Sequence, residues 1–525
     1  MKLKKYIFGA VLLAACVLGC ACAQSGEGTK NPEDTTPTMA ATDTPNETPT
    51  PEVTPTPIID YPKIKVVESK TYQTWDNFGV SGCWWSQYVG GWDQPYKGKE
   101  LATREEIARL LYSREEGIGL TSYRYNLGAG SVEANNGNFW YPERRAESFE
   151  TAPGVYDFTK DANAQWFLKR VVELTNGEVD VILFANSPLS RLTINGIAHG
   201  DPGFKTNINA DKYDDFAKYL LDVAEYFVSQ GIPVTEISPI NEPQWEWAGG
   251  QEGCYYTPAQ CAALLRVCVE EIQKRDALDG IVISAPEGGS WGTDTQQYVK
   301  AILDDRVLGD YFTAIDCHSY WTDTNTKVQF RKWMNQNYPD VALRMSEWCE
   351  MVNGSDYTMD SALNMAACII EDITKLQVEA WQYWVGVANG GYRDGLIYVN
   401  TNARACRPAK RLWAMGNFSR FIRPGYVRVD CTNNDKQITG LRTTAFTGVN
   451  DEGQEELVIV VLNRNDKTTI QLDLEDYGKY NYYEVYTTDE THDLEMTAGG
   501  EYTDQYVPVS IGTSSVVTIK LVNKK

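Results

Sequence analysis

Two glutamates follow short apolar segments, where a side chain can act from the end of a strand. Glu242 lies in the run Ile-Ser-Pro-Ile-Asn-Glu-Pro-Gln-Trp-Glu-Trp, directly after the apolar segment Val234–Ile240. Glu347 lies near the end of Leu-Arg-Met-Ser-Glu-Trp, so both carboxylates have a tryptophan close in sequence. Two carboxyl groups can cleave a glycosidic bond when one protonates the leaving oxygen and the other attacks the anomeric carbon. This chemistry makes both glutamates candidate catalytic residues.

The two glutamates should differ in their surroundings, because an acid needs a raised pKa and a nucleophile needs hydrogen bonds that keep it ionised. We expect Arg124 and Tyr320 to lie beside Glu347, whereas no cation is adjacent to Glu242. This predicts Glu242 as the acid/base and Glu347 as the nucleophile. A lone glutamate is ordinarily a solvated surface charge. That interpretation fits three others that lack a strand-end position, Glu246, Glu252 and Glu350.

Eight strand-like segments alternate with amphipathic, helix-like stretches between residues 76 and 423. They are Phe78–Cys83, Leu120–Tyr125, Val179–Ala185, Val234–Ile240, Ile281–Ala285, Phe312–Cys317, Ala342–Ser346 and Glu379–Trp384. Most are apolar on both faces, which is typical of parallel strands covered by helices. The alternation predicts an α/β fold, a (β/α)8 TIM barrel.

Active sites of such barrels are built from the loops at the carboxyl ends of the strands. The residues at those ends are polar and aromatic, and Glu287 among them could bind substrate or pair with a loop cation. Tryptophans at these positions could equally fill the core. The candidate substrate-binding residues are Arg124, Asn126, Asn186, Asn241, Trp85, His318, Tyr320, Trp381 and Trp384.

The pattern changes beyond residue 423 to runs of period two separated by turn signals, which predicts a β-sandwich over residues 424–525. A further strand-like segment precedes the barrel. We expect this segment, residues 61–75, to join the sandwich and bring the two ends of the chain together.

Composition excludes some partners. The formal net charge of -23 argues against nucleic acid, because phosphate binding needs a basic surface. With 15 Trp and 31 Tyr, the chain can stack aromatic rings on the apolar faces of sugars. Only three histidines are present and the cysteines show no metal-like spacing, so we expect no metal and no cofactor. We expect a monomer.

The first 24 residues resemble a lipoprotein-type signal peptide, with Lys2, Lys4 and Lys5 before a short apolar run. Cys16 and Cys20 both stand in a lipoprotein-like cleavage box, and we favour Cys20 as the lipidated residue. Plain secretion is the alternative. Residues 25–60 are rich in Thr and Pro and predict a disordered linker.

Several motifs together resemble glycoside hydrolase family 30 of clan A, from about Ile64 onward. They are Asn241-Glu242-Pro243, Ser346-Glu347-Trp348, Tyr123-Arg-Tyr-Asn-Leu-Gly-Ala-Gly130, Ala185-Asn-Ser-Pro188 and Gly416-Asn-Phe-Ser-Arg-Phe-Ile-Arg-Pro-Gly425. The resemblance implies a retaining double displacement on a (β/α)8 barrel with a side β-sandwich. It also implies that Glu242 is the acid/base and Glu347 the nucleophile.

Within that family, Asn241-Glu-Pro-Gln-Trp-Glu-Trp followed by Gln251-Glu-Gly-Cys254 is most similar to the endo-β-1,6-galactanase branch. This implies arabinogalactan side chains as substrate. After Asn-Ser-Pro, relatives often continue Pro-Trp-Met, whereas this chain has Leu189-Ser190-Arg191. A β-1,6-glucanase, a xylanase or an exo-β-glycosidase of the same family is the alternative. A surface glycan-binding lipoprotein without catalysis is the rival from another class.

Overall fold

The computed structural model describes residues 61–134, 139–433, 440–502 and 507–524. The predicted signal peptide over residues 1–24, its lipidation candidate Cys20 and the predicted linker over residues 25–60 lie outside the described residues. Within the described ranges, no helix combines the length and the apolarity needed to cross a bilayer.

Eight parallel strands close into a barrel, because the first strand pairs with both the second and the eighth. The fifth strand is split. Its first part pairs with the fourth strand and its second part with the sixth. The strands are Asn77–Ser81, Ser122–Asn126, Asp180–Phe184, Val234–Ser238, Val282–Ile283 with Pro286–Gly288, Ala314–His318, Ala342–Trp348 and Ala380–Ala388. The predicted (β/α)8 fold class is confirmed.

Helices cover the outside of the barrel. They are Ser86–Val89, Thr103–Tyr112, Ser131–Ala134, Ala162–Leu174, Tyr213–Ser229, Pro258–Ile272, Thr293–Leu303, Arg306–Tyr311, Thr324–Asn337, Met359–Glu371 and Lys410–Ser419. Pro258–Ile272 begins with a capping box between Thr257 and Gln260. Cys261 and Cys268, seven residues apart on this helix, are both buried in the core. The nine cysteines within the described ranges are free thiols.

Short elements decorate the loops. Glu150–Ala152 and Val155–Tyr156 form a hairpin, and Gly395–Asn400 pairs with the eighth barrel strand and with Ala405–Pro408. Short 3-10 turns cover Pro142–Arg144, Ala210–Lys212 and Asp276–Leu278, and a π turn covers Asp372–Leu376.

Nine strands form the appended β-domain, in the hydrogen-bonded order Asp493–Glu501, Tyr482–Thr488, Ser515–Val522, Glu455–Asn463, Leu441–Val449, Val427–Asn433, Lys63–Thr74, Thr468–Leu474 and Pro508–Ile511. Lys63–Thr74 runs antiparallel to Val427–Asn433 and parallel to Thr468–Leu474. A strand from before the barrel therefore lies inside a sheet built from the chain's other end.

The strand Glu455–Asn463 joins the two domains, because its two faces are buried in different cores. Leu457, Ile459 and Val461 pack in the core of the β-domain. The intervening residues, Val458, Val460 and Leu462, belong to the core of the barrel. Successive side chains of a strand point to opposite faces, so this alternation fastens the β-domain to the barrel.

The inside of the barrel is polar at several levels. The expectation that the strands are apolar on both faces is therefore wrong for the inward face of several strands. In three strands, buried polar residues two positions apart share the inward face. These pairs are Glu236 and Ser238, Asp316 and His318, and Arg344 and Ser346, of which Arg344 is half-buried. The second residue of each pair is nearer the carboxyl end, so a polar interior leads directly to the barrel mouth.

Candidate active site

Glu242 lies four residues after the fourth strand, in a backbone conformation that turns it into the barrel mouth. Its φ is 42°, in the left-handed region, and that of Glu287 is 55°. The two are joined, since the Glu242 N–H donates to the Glu287 carbonyl at 2.9 Å. The Glu242 carbonyl accepts from the Trp245 N–H at 3.1 Å and from Trp247 Nε1 at 3.0 Å. Such a backbone costs about 1–3 kcal/mol per residue, which is typical of functional sites.

Glu347 is the penultimate residue of the seventh strand, and donors face both of its carboxylate oxygens. Arg124 Nη1 donates to Oε2 at 3.0 Å, and the Tyr320 hydroxyl donates to Oε1 at 3.0 Å. Arg124 is wholly buried, packs 4.3 Å over the Phe184 ring and also donates to the Ser346 carbonyl at 2.9 Å. The cation is therefore fixed in place before any substrate binds.

His318 connects three carboxylates. Its Nδ1 lies 3.0 Å from Glu242 Oε1 and 3.6 Å from Glu347 Oε1, and its Nε2 lies 3.1 Å from Glu287 Oε2. Burial opposes the charged ring, but the charge of Glu347 and the bonds to Glu242 and Glu287 outweigh it and raise the pKa of His318 to about 10. Both ring nitrogens then donate, and the imidazole is a cation at neutral pH. The expectation that no cation is adjacent to Glu242 is therefore wrong.

Glu287 lies beneath the two candidate catalytic residues and is held ionised. Burial would raise its pKa, but the charge of Arg124, whose Nη2 is 3.5 Å away, and the bond from His318 lower the pKa to about 2. The hydroxyl of Ser346 also donates to Glu287. For Glu347, burial raises the pKa, with the charges of His318 and Arg124 opposing the rise. These groups form one network of three carboxylates and two cations.

The spacing of the two glutamates fits one reaction type. A carboxylate oxygen of Glu242, one of Glu347 and a ring nitrogen of His318 all lie within 4.8 Å of one another. Retaining glycosidases hold their carboxyl groups about 5–5.5 Å apart, whereas inverting enzymes need about 6.5–9.5 Å. The same three side chains have the spacing of metal ligands. In this structure the imidazole instead links the carboxylates, through its contacts with Glu242 and Glu287.

The glutamates lie in a cleft of ≈ 740 Å³. Around Glu242 the cleft is lined by Trp245 and Trp321, whose side chains are 40% and 66% exposed. Their rings meet edge to face at 5.8 Å. The remaining lining residues include Trp84, Tyr141, Glu143, Arg144, Asn241, Gln251, Tyr320, Asn353, Trp384, Tyr392 and Asp394. Aromatic rings with interspersed polar groups suit a sugar chain.

Most of the predicted substrate-binding residues come together at the mouth. Asn241, Tyr320 and Trp384 line the cleft. Arg124 and His318 are wholly buried and reach the site through their bonds to Glu347 and Glu242. Asn186 Nδ2 donates to Asn126 Oδ1 at 2.9 Å, and both side chains are buried. Within the described ranges, the side-chain oxygens of Asn186 and Asn241 are buried without a hydrogen-bond donor. Asn241, which lines the cleft, is therefore ready to receive a substrate hydroxyl.

Two predicted tryptophans do not reach the cleft, which corrects their assignment. Trp85 is buried, donates from Nε1 to the Ser81 carbonyl at 2.9 Å and packs edge-on against Phe167. Trp381 is buried and donates from Nε1 to Asp372 at 3.0 Å, away from the cleft. The interpretation of Glu252 as a surface charge is also wrong. It is buried, accepts bonds from Ala129 and Ser131, and has a pKa that burial raises to about 7.

Sequence reasoning missed the lining residues that long loops supply, among them Tyr141, Arg144, Tyr392 and Asp394. They lie in the loops after the second and eighth strands, beyond the residues directly after each strand that the sequence analysis considered. The usable signal was the length of the loop after the second strand, which runs from Leu127 to Asp161 before the next long helix.

The barrel and its paired carboxylates define a retaining glycosidase of the (β/α)8 type. The sequence matches the family described as O-glycosyl hydrolase family 30 over residues 61–398, and the chain belongs to that family. It is a glycoside hydrolase acting on polysaccharide.

Curated relatives include an endo-β-1,6-galactanase from Hypocrea rufa, 24% identical over 77% of this chain and 82% of that protein. An exo-β-1,6-galactobiohydrolase from Bifidobacterium longum subsp. longum is 22% identical over 84% of this chain, but over only 37% of that protein. Among solved structures, a conserved exported protein from Bacteroides fragilis superposes with a TM-score of 0.75 and 25% identity, covering 87% of this chain and 99% of that one. An endo-β1,6-glucanase has a TM-score of 0.63 at 16% identity, covering 89% and 95%.

Proposed function

We propose that this protein is an endo-β-1,6-galactanase acting on arabinogalactan side chains, with Glu242 as acid/base and Glu347 as nucleophile. The main support is structural: a carboxylate oxygen of Glu242 and one of Glu347 lie within 4.8 Å of each other in a cleft lined by tryptophans. The substrate rests on similarity to the Hypocrea rufa endo-β-1,6-galactanase, which covers most of both chains.

In the first step, Glu347 attacks the anomeric carbon while Glu242 gives its proton to the leaving oxygen. The bonds from Arg124 and Tyr320 fix both oxygens of Glu347, so the attacking atom needs little reorientation. His318, donating to Glu242, orients its carboxyl group from the other side. The aglycone therefore lies at the end of the cleft where Glu242 meets Trp245 and Trp321.

In the second step, water replaces the aglycone and attacks the glycosyl ester of Glu347. Glu242, now ionised, takes the proton from that water, so one residue serves as acid and then as base. Two displacements at the same carbon return the original β configuration. Product released first should therefore be the β anomer, which proton NMR of the fresh reaction mixture detects. Initial release of the α anomer would contradict the assignment.

The two roles can be separated with sodium azide and an activated aryl β-glycoside. In Glu347→Ala, azide can enter the space left by the nucleophile and form an α-glycosyl azide. In Glu242→Ala, the covalent intermediate still forms, and azide attacks it from the opposite face to give a β-glycosyl azide. Interchanged products would reverse the roles, and near-normal turnover in either variant without azide would refute its role.

The substrate is tested by a hydrolysis profile on β-1,6-galactan, β-1,6-glucan and glucuronoxylan, resolved by product length. The proposal predicts fastest cleavage of galactan, with a range of oligosaccharides from the earliest times. A second candidate is exo action, which similarity to the Bifidobacterium longum exo-β-1,6-galactobiohydrolase favours. A single short product from the start would establish exo action. Preference for another polymer would replace galactan as the substrate.

We also propose that the protein is exported, as a monomer anchored through Cys20 or secreted. The basic and apolar pattern of residues 1–24 supports export, and the similar Bacteroides fragilis protein is described as exported. Fractionation of cells that express the full chain and are fed a labelled fatty acid tests the anchor. Label that disappears in Cys20→Ala supports lipidation at this residue, and unchanged label points to Cys16. Sedimentation of the purified protein tests the monomer.

A further inference from the structure

Asp394 lies in the loop after the eighth strand, and its backbone is held on both sides. Arg411, wholly buried, donates to the Gly395 carbonyl from Nε at 3.2 Å and from Nη2 at 2.7 Å. On the other side, the Tyr383 hydroxyl donates to the Arg393 carbonyl at 3.2 Å, and the Arg393 N–H donates to Val352 at 2.9 Å. The position of Asp394 is therefore fixed before substrate arrives.

The carboxylate of Asp394 lines the cleft, yet one of its oxygens lacks a donor. Its Oδ1 is buried and has no hydrogen-bond partner among the described residues. Burial raises the pKa of Asp394, and the charges of Arg144 and Arg411 oppose that rise. A buried oxygen without a donor is unfavourable, and such groups in native structures usually have a specific reason. Asp394 as a whole is only partly buried and lines the cleft, so a rotation of its carboxylate can turn this oxygen toward a substrate hydroxyl.

Unused donors lie in the same part of the cleft. Arg144 packs its guanidinium 4.7 Å over the Trp84 ring and 4.3 Å over the Tyr141 ring, and no carboxylate of the described chain pairs with it. The Nε1 of Trp84 is buried and also has no acceptor within the described residues. Trp384 meets the Trp84 ring edge-on at 5.3 Å. Aromatic contacts thus hold two donors in the cleft that Asp394 also lines, and Arg144 is near enough for its charge to lower the pKa of Asp394.

These groups belong to the glycone side of the bond that is cleaved. Glu242 and Trp245 both lie against Gly289. A Cβ at that position would be 2.9 Å from Glu242 Oε1 and 3.2 Å from Trp245 Nε1, so the acid and this tryptophan are close together. The leaving group must meet the acid there. Trp84, Arg144 and Asp394 come from loops after the first, second and eighth strands, away from the fourth and sixth strands that supply Trp245 and Trp321.

We propose that Asp394 and Arg144 are specificity-determining residues that bind neighbouring hydroxyl groups of the glycone sugar. Asp394 accepts a hydrogen bond from one hydroxyl, while Arg144, assisted by Trp84 Nε1, donates to the oxygen of the next. The ligand class is a neutral pyranose with free hydroxyls at both positions. The inference rests on the proposed glycosidase function but not on galactose being the preferred sugar.

The test is a thermodynamic cycle that combines one change in the enzyme, Asp394→Asn, with one change in the substrate, the loss of a single hydroxyl. A panel of aryl β-glycosides first identifies the best sugar, and analogues of it lacking one hydroxyl each are then compared. Asn keeps the shape of Asp but exchanges one acceptor oxygen for an amide donor. We expect kcat/KM on the parent glycoside to fall about 10- to 100-fold, as for a hydrogen bond to a charged group. On the analogue lacking the bound hydroxyl, the variant and the parent enzyme should differ less than about threefold.

The controls separate a binding role from a structural one. Asp340→Asn changes an exposed carboxylate in the turn before the seventh strand and should leave all rates unchanged. If Asp394→Asn unfolds more easily, Arg144→Gln provides a second cycle, whose loss should vanish with a different deoxy analogue. A loss that persists on every analogue, or no loss on the parent, would overturn the inference. If another sugar is preferred, only the galactanase proposal fails, because the cycle then runs on that sugar.

Discussion

The two ends of the barrel hold two groups of carboxylates, and they differ in how their charge is balanced. At the mouth, three carboxylates share two cations in a cluster made of Glu242, Glu287, Glu347, Arg124 and His318. Near the opposite end, five carboxylates lie around Arg344 in a cluster made of Asp76, Asp180, Glu236, Asp316, Glu379 and Arg344. We refer to these as the mouth cluster and the basal cluster.

The same burial has opposite consequences for Glu287 and for the carboxylates of the basal cluster. At Glu287 in the mouth cluster, Arg124 and His318 overcome burial and lower the pKa to about 2, whereas at Glu347 burial still raises the pKa against the same two cations. In the basal cluster, burial and neighbouring carboxylates prevail. They raise the pKa of Asp180 to about 7 and that of Asp316 well above its usual range. The cations and carboxylates that face each group, and not burial alone, therefore set the direction in which its pKa moves.

Replacing the cation of each cluster should give the largest contrast. Arg124→Met leaves Glu287 and Glu347 without their permanent cation, so we expect about 3–5 kcal/mol lower stability. Activity should fall about 100- to 1,000-fold, because Glu347 loses a preorganised donor. Arg344→Met should also destabilise, yet keep the kcat/KM of the folded fraction. Urea unfolding and steady-state kinetics measure both, and equal loss of activity in the two variants would remove the distinction between the clusters.

Neutralising one carboxylate in each cluster gives a smaller contrast. Glu287→Gln removes the charge that holds His318 and Arg124, and kcat should fall about tenfold or more. Asp316→Asn replaces a carboxyl whose pKa is raised well above its usual range by burial and by the charge of Glu236. We expect its stability at pH 7 to change by less than about 1 kcal/mol. A large loss of stability in Asp316→Asn at pH 7 would mean that this carboxyl is ionised in the folded protein. That result would contradict the raised pKa in the basal cluster.

The alkaline limit of the mouth cluster depends on His318. Its pKa is raised to about 10 in the folded protein, above an unfolded value of about 6.5. A raised histidine pKa gives stability that is fully present below pH 6.5 and is lost as pH rises through 10. The unfolding free energy of the parent should therefore approach that of His318→Gln between pH 6.5 and 10. A constant difference between the two proteins across this window would mean that His318 does not titrate there.

The sequence predicted the barrel and the two glutamates for a physical reason. Parallel strands buried on the outer face by helices are apolar runs, and in this fold the residues after them meet at one end. The fifth strand was placed at Ile281–Ala285, whereas the structure divides it into Val282–Ile283 and Pro286–Gly288. The division arises because one part pairs with the fourth strand and the other with the sixth, and a local sequence pattern does not show which strands pair.

The tryptophan errors follow from the period of two in a strand. Trp381 and Trp384 lie three positions apart in one strand, so they point to opposite faces and cannot both reach the cleft. After the first strand, the structure ends pairing at Ser81 instead of Cys83, and Trp84 faces the cleft in place of Trp85. When the predicted end of a strand is wrong by two residues, the direction of the side chains that follow cannot be inferred. Asp394 and Arg144 were missed because loop position depends on distant contacts such as those of Arg411.

A further prediction tests the pH dependence of one carboxyl of the basal cluster. Asp180 accepts a bond from Asn77 Nδ2 at 3.0 Å, and the charges nearby are those of Asp76, Glu236 and Arg344. Its folded pKa of about 7 exceeds an unfolded value of about 3.9, so the folded state binds the extra proton and stability falls as pH rises from 4 to 7.

Asp180→Asn keeps the bond from Asn77 but has no charge to gain. The variant should match the parent at pH 4 and exceed it by about 1–2 kcal/mol at pH 8, after allowance for partial exposure. Unfolding free energies at both pH values measure this, with Asp340→Asn as the exposed control. If Asp180→Asn is less stable than the parent at pH 8, the carboxylate is stabilised there. Arg344 alone would then balance the basal cluster, and the cations and carboxylates that face each group would no longer explain the difference between the two ends.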